Sequence, residues 1–328
     1  QIDYYGASIN LAKVLLYSLN GGKDELTGEL IINGIDQLKG EYLDCDLVLK
    51  EFDKALKASI KIYVDSLNII HFIQDKYSYE SSSMAFIDTN PEALMTFGVT
   101  GLATVVNSFS ALQFGHVRVK RDENGITNAF DIEFDYPKYG NSEENVDTIA
   151  TGLLKRINRE IKKYPLYKNA ISRLSLNTYT SNIVYGKNTG ATPDGRKSKE
   201  PLPFGANPTN ETDKTGALAS LFSIAKISYK DIALGGIPNS ILISPSAFSK
   251  EEHLMQDNVL KIINAYFEKN GEYLGINIID KSTLEEKLNN YTRQQDLILN
   301  LYGYPIMLNK LNENQIKDLK LITCHEKI

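Results

Sequence analysis

Four places in this 328-residue sequence carry residue types that could do chemistry. Cys45 and Cys324 are the two thiols; a thiolate is a nucleophile and a metal ligand, but these lie near opposite ends of the chain and form neither a disulfide framework nor a metal-ligand spacing. They read as isolated thiols. His71 and Asp75 stand four residues apart, on one face if that stretch is helical, which could begin a metal site. No third ligand is evident, and an ordinary polar contact is the plainer reading. The run from Lys187 to Arg196 could cradle an anion on its backbone amides, although Pro193-Asp194-Gly195 equally makes a tight turn. Leu301-Tyr302-Gly303-Tyr304-Pro305, taken alone, is a chain reversal in which glycine permits the backbone angles and proline stops the strand. The phosphate-loop GxxxxGK, the dinucleotide GxGxxG, HExxH and GxSxG are absent.

The elements that must position these residues follow from periodicity. Leu11, Val14, Leu15 and Leu19 share a face and predict a helix from Asn10 to Leu19, ended by Gly21-Gly22. Leu49, Phe52, Leu56, Ile60, Tyr63, Leu67 and Ile70 predict a long helix from Leu47 to Tyr77. Asn90-Pro91-Glu92 is read as the start of a helix running to Ser108. From His116 the period falls to two, and Glu123-Asn124-Gly125 turns a hairpin that ends near Phe134. A helix over Glu143–Lys163 precedes Pro165. Strands are predicted at Leu174–Val184, Ser240–Ser244, Tyr273–Ile279 and Leu297–Tyr302, and helices at Gly216–Ile227, Lys250–Lys269, Thr283–Asn289 and Glu313–Leu321. This order predicts an α/β protein with helices covering a buried sheet or barrel. The connection from Tyr185 to Thr215, rich in proline and glycine, is long enough to expect a function for it.

Hydrophobic residues make up 42% of the chain and charged residues 23%, a soluble globular balance. With a net charge of −5 and basic residues dispersed along the sequence, no nucleic-acid partner is expected. No apolar run approaches the roughly 20 residues of a membrane span, so no membrane partner and a cytoplasmic location are expected. One compact unit over residues 1–328 is expected. The first residue is Gln1, and the chain reads as beginning inside a longer protein.

Several stretches, taken together and in order, resemble pyruvate formate-lyase (formate C-acetyltransferase), a glycyl radical enzyme family. They are Tyr5-Gly6-Ala7 with Asn10-Leu11-Ala12-Lys13; Leu19 to Glu25; Leu67-Asn68-Ile69-Ile70-His71 running into Asp75 to Glu80; Arg121 to Gly125; and Tyr136-Pro137 with Tyr139-Gly140-Asn141. The most specific is Thr180 to Lys187, followed by Thr189-Gly190, Thr192 to Arg196 and Phe204 to Pro208. The resemblance covers essentially the whole chain. It implies the second half of a ten-stranded α/β barrel with surrounding helices, a functional loop over 185–215 and a glycine radical domain over 291–328. It further implies that Gly303 carries a backbone radical installed by an iron–sulfur, S-adenosylmethionine-dependent activase. Pyruvate, or another 2-oxo acid, and coenzyme A would be the substrates, formate a product, no metal would be bound by this chain, and a homodimer is expected.

Glycine suits that role because an α-carbon radical is planar and a side chain would crowd it, while apolar neighbours such as Leu299, Leu301 and Ile306 would keep water away. Tyr5 is a candidate substrate contact. Ser8 occupies the position at which the family carries an arginine that grips the substrate carboxylate, and a hydroxyl cannot act as a bidentate cation. Ile87 replaces a histidine associated with coenzyme A. Around the glycine, Asn300 replaces an arginine, Tyr302 a serine and Pro305 an alanine, which restricts the loop. These departures predict a chain that is inactive alone, or a catalytically degenerate homologue that pairs with an intact family member as a structural or regulatory partner.

Overall fold

The computed structural model describes residues 2–3, 7–77, 87–88, 92–176, 181–248, 251–289, 298–301 and 304–328. The chain opens with β1 (Ile2–Asp3) and β2 (Ser8–Asn10), passes through α1 (Leu11–Leu19) and α2 (Cys45–Tyr77), and returns as β3 (Ala93–Thr100) before α3 (Leu102–Ser110). The hairpin β4 (Val117–Arg121) and β5 (Thr127–Ile132) leads to α4 (Glu144–Ile161), β6 (Ile171–Ser175) and α5 (Ser181–Lys187). After the long connection come α6 (Ala217–Ala225), β7 (Ser240–Ile243), α7 (Glu252–Glu268), β8 (Gly275–Ile278) and α8 (Lys281–Asn289). The paired β9 (Ile298–Leu301) and β10 (Tyr304–Met307), then α9 (Glu313–Leu321) and β11 (Cys324–His325), complete it.

The Asn10 side chain caps α1 by accepting from the Lys13 amide at 3.2 Å. At the other end the chain turns through Gly21 and Gly22, both at positive φ. A Cβ on Gly22 would lie 1.8 Å from the Ile32 carbonyl oxygen, so no side chain fits there. The buried face of α2 runs Val48, Phe52, Leu56, Ile60, Tyr63, Leu67 and His71, and α2 packs on α1 and α4.

Strand β3 is central. Leu94 pairs in parallel with Asp3 of β1 and Ile171 of β6, and Gly98 with Ser8 of β2 and Ser175 of β6, so β1 and β2 share one edge and β6 holds the other. A second parallel sheet has the order β11-β7-β8. In β7, Ile241 and Ile243 pack toward α6 and α7, while Leu242 packs with α8, β9 and α9, as the two-residue period of a strand requires. The result is a mixed α/β fold of open sheets. The strands do not close a barrel among the described residues.

Two expected elements are different. The helix expected from Asn90 to Ser108 is a strand followed by a helix. From Leu94 to Thr100 every residue of β3 is buried, and a parallel strand covered on both faces shows a continuous apolar run that periodicity does not distinguish from a buried helix. Gly101, at φ 78°, separates the two. The strand expected from Leu174 to Val184 runs instead from Ile171 to Ser175, and residues 181–187 are helical. Residues 177–180, between them, lie outside the described residues.

Buried apolar residues fall into three clusters. The largest joins α1, α2, β3, α3 and α4. The other two lie on opposite faces of the β7 sheet.

Candidate functional site

Ligands of parallel α/β sheets gather at the carboxyl ends of the strands, and the carboxyl end of β2 meets a dense polar network. Tyr63 of α2 donates to the carbonyls of Ala7 (2.6 Å) and Gly98 (3.2 Å), fixing the backbone beside Ser8. Asn10 donates to the Thr189 hydroxyl at 2.9 Å, and that hydroxyl donates to the Tyr185 carbonyl at 2.7 Å. Lys13, one turn along α1, meets Asp24 at 2.7 Å and both oxygens of Glu25 at 2.9 Å. Glu25 also accepts from the Gly190 amide at 2.6 Å. The long connection is thereby moored to β2 and α1.

The run from Lys187 to Arg196 takes the tight-turn reading. Gly195 donates to the Thr192 carbonyl and Thr192 to the Arg196 carbonyl, both at 3.0 Å, with Gly195 at φ 93°. The Thr192 hydroxyl donates to Asp194 at 2.6 Å. The carboxylate on the Gly190 amide is the chain's own Glu25. The Arg196 guanidinium is buried among backbone carbonyls: Nη1 donates to Lys197 (3.1 Å) and Glu200 (2.6 Å), and Nη2 to Thr189 (3.3 Å) and Gly190. Burial pushes its pKa down. Its work is to hold residues 189–200 in one conformation.

Below this connection lies a cavity of about 300 Å³ whose wall includes Tyr136, Lys138, Asp194, Arg196, Glu200 and Asp318. Asp318, on α9, is 6% exposed. One of its oxygens accepts from Asn182 Nδ2 of α5 at 3.1 Å, and the same amide donates to the Leu202 carbonyl at 3.1 Å. Burial pushes Asp318 up to about 6, which the Asn182 hydrogen bond only partly offsets. Neither Asn182 nor Asp318 stood out in the sequence. Asp318 lies about 200° around its helix from Ile316 and about 100° from Leu319, off the apolar stripe, so no local signal marked it. A buried pair of His325 and Asp213, 3.3 Å apart, was likewise not legible.

The residues singled out in the sequence are dispersed. Gly303, Tyr302 and Tyr5 lie outside the described residues. Strands β9 and β10 pair antiparallel, Leu301 opposite Tyr304 and Asn300 opposite Pro305, so the described hairpin flanks position 303 on both sides. Leu299 is buried behind it and Ile306 packs on the same cluster. Ser8 pairs with Gly98, and its carbonyl accepts from the Tyr185 hydroxyl at 3.5 Å. Ile87 is 81% exposed. His71 is buried, while Asp75 accepts from Tyr167 at 2.9 Å and meets Lys168 at 2.7 Å, the ordinary polar contact. Among the described residues no three His, Cys, Asp or Glu side chains are placed to hold a metal ion, and no helix is long and apolar enough to cross a membrane. Burial pushes both thiols up, and Cys324 Sγ donates to the Ile279 carbonyl at 3.3 Å.

Residues 1–186 match the family described as pyruvate formate lyase-like, and residues 202–306 the family described as glycine radical. The PFL-like enzyme TdcE of Escherichia coli (strain K12) is 37% identical over 324 residues, 97% of this chain and 42% of the relative. The chain thus spans less than half the length of that curated relative. The B12-independent glycerol dehydratase from Clostridium butyricum superposes with a TM-score of 0.79 at 24% identity, covering 97% of this chain and 43% of that one. A glycyl radical enzyme from Archaeoglobus fulgidus superposes with a TM-score of 0.81 at 19% identity, covering 98% and 43%. At those identities the two structures establish the shared fold. The family matches, together with the 37% identity, establish that the chain belongs to the pyruvate formate lyase-like glycyl radical enzymes.

Proposed function

We propose that the chain is the C-terminal portion of a glycyl radical acyltransferase of the formate C-acetyltransferase type, supplying the second half of a ten-stranded barrel, with Gly303 as the radical position in a glycine radical domain over 291–328. The carrying observation is 37% identity to a PFL-like enzyme across 97% of the chain, with the glycine radical match spanning position 303. The reaction joins the acetyl group of pyruvate to the thiol of coenzyme A and releases formate, and a radical-SAM activase would install the radical. In this reading the paired strands β9 and β10 precede and follow position 303 in the chain, with Leu299 buried and Ile306 packed on the same apolar cluster.

A second reading is a catalytically silent homologue that partners an intact family member. Ser8, Ile87, Asn300 and Tyr302 favour it, because each replaces a residue that the resemblance assigns to substrate binding, coenzyme A binding or activation. Anaerobic incubation of the protein, at its full native length, with the activase separates the two. The acyltransferase reading expects a glycyl radical doublet by electron spin resonance, oxygen-dependent cleavage at position 303, and loss of both in Gly303→Ala. Absence of doublet and cleavage in the wild type refutes it.

A further inference from the structure

Asp318 is a buried carboxyl on the wall of the cavity of about 300 Å³, and no cation stands beside it among the described residues. The other acids on that wall are provided for. Asp194 accepts from the Thr192 hydroxyl at 2.6 Å and the Arg196 amide at 3.3 Å. Glu200 and Glu211 are exposed, and Glu211 meets Lys281 at 3.1 Å. The two cations sharing the wall are engaged elsewhere, Arg196 by backbone carbonyls and Lys138 beside Asp135 and over the Tyr136 ring. One oxygen of Asp318 takes the Asn182 amide at 3.1 Å, and the other has no partner among the described residues. The residue is 6% exposed, and the surface it keeps lies on the cavity wall, so the free oxygen faces the cavity.

A carboxylate taken from water and given one amide is costly, and a cation brought beside it recovers much of that cost. Burial raises Asp318 to about 6, so at pH 8 the cavity holds the charged form. The surroundings define the cation. Because Asn182 occupies one oxygen, the carboxylate cannot offer both to the planar fork of a guanidinium, whereas a compact ammonium needs only one. Asn210, half-buried on the long connection, lines the same cavity, and its side-chain amide makes no hydrogen bond among the described residues. Its Oδ1 can serve as a second acceptor. Among the described residues no three His, Cys, Asp or Glu side chains converge on a metal ion, and the space suits a small organic molecule better than a bare ion. Pro201, Leu202, Pro203 and Leu321 supply apolar wall for a short hydrocarbon body, and Leu321, 51% exposed, marks the side open to solvent.

We propose that this cavity is a binding site for a small organic cation, a primary ammonium on a short apolar body, with Asp318 as its counter-ion and Asn210 as its second acceptor. Asp318 comes from α9 and Asn210 from the long connection, so the ligand would touch both. The site does not depend on the reading of Gly303 as the radical position.

The test is saturation-transfer NMR at pH 8 on the protein at its full native length, with n-butylammonium as the probe and 1-butanol as its uncharged counterpart. The probe is expected to bind saturably with a dissociation constant of about 1 mM, and 1-butanol at least about tenfold more weakly. Potassium chloride at equal concentration should not displace it. Asp318→Asn keeps the shape and an acceptor for Asn182 while removing the charge, and should weaken the probe at least about tenfold. Asn210→Leu removes the second acceptor at a half-buried position and should weaken it about threefold or more. Equal affinity in the wild type and Asp318→Asn, 1-butanol binding as tightly as the probe, displacement by potassium, or no saturable binding below about 50 mM overturns the proposal. If Asp318→Asn does not fold, Asn210→Leu decides: weakened binding supports the site and unchanged binding refutes it.

Discussion

Glu25→Ala tests the mooring of the long connection. The Glu25 side chain is 2% exposed, and its carboxylate takes Lys13 at 2.9 Å and the Gly190 amide at 2.6 Å. Removing it leaves a buried amide without an acceptor, which costs about 1–3 kcal/mol. It also breaks a buried ion pair, for which loss of one partner costs about 3–5 kcal/mol. Lys13 keeps Asp24 at 2.7 Å, so the combined loss belongs at the low end, about 3 kcal/mol. Glu25→Gln retains an acceptor for Gly190 but not the charge, and about half that loss is expected. Urea denaturation provides the assay, with the loss appearing as a lower midpoint at unchanged slope. Hydrogen exchange should show the amides of 189–196 losing protection first, because Asn10–Thr189 is the next contact in the network. A loss below about 1 kcal/mol in Glu25→Ala, or equal losses in the two variants, would show that Glu25 does not moor the connection.

Asp318 gives stability a defined pH dependence. Its folded value, about 6, stands above the ordinary 3.8, so the folded state holds its proton more tightly. The contribution is therefore fully present below about pH 4, falls as pH rises through 6, and is smaller by up to about 3 kcal/mol above that. In urea melts, Asp318→Asn should gain on the wild type between pH 5 and 7; a constant difference would contradict the assignment. Gly22→Ala should destabilise by about 2–3 kcal/mol, because its Cβ would meet the Ile32 carbonyl at a positive-φ position; a thermal melt unchanged within about 0.5 kcal/mol would rule that out. Burial raises Cys45 and Cys324, so iodoacetamide at pH 7 should label both more slowly than a free thiol, accelerating as pH rises past 9; rapid labelling at pH 7 would show them exposed.

The sequence by itself determined the elements whose signals are local. The stripe of α2, the apolar face and terminal double glycine of α1, and the alternation of β4 and β5 are written in adjacent residues, and the structure has each within a few positions. Family membership was also legible, because matched stretches run the length of the chain. Tertiary structure alone decided β3, whose burial on both faces erases the period that separates strand from helix. It also decided that Glu25 would fill the Gly190 amide, 165 positions away. Asp318 and Asn182, 136 positions apart, meet only because α9 folds back onto α5. Whether an acid is solvated or buried is a property of what packs over it, and no window of sequence contains that.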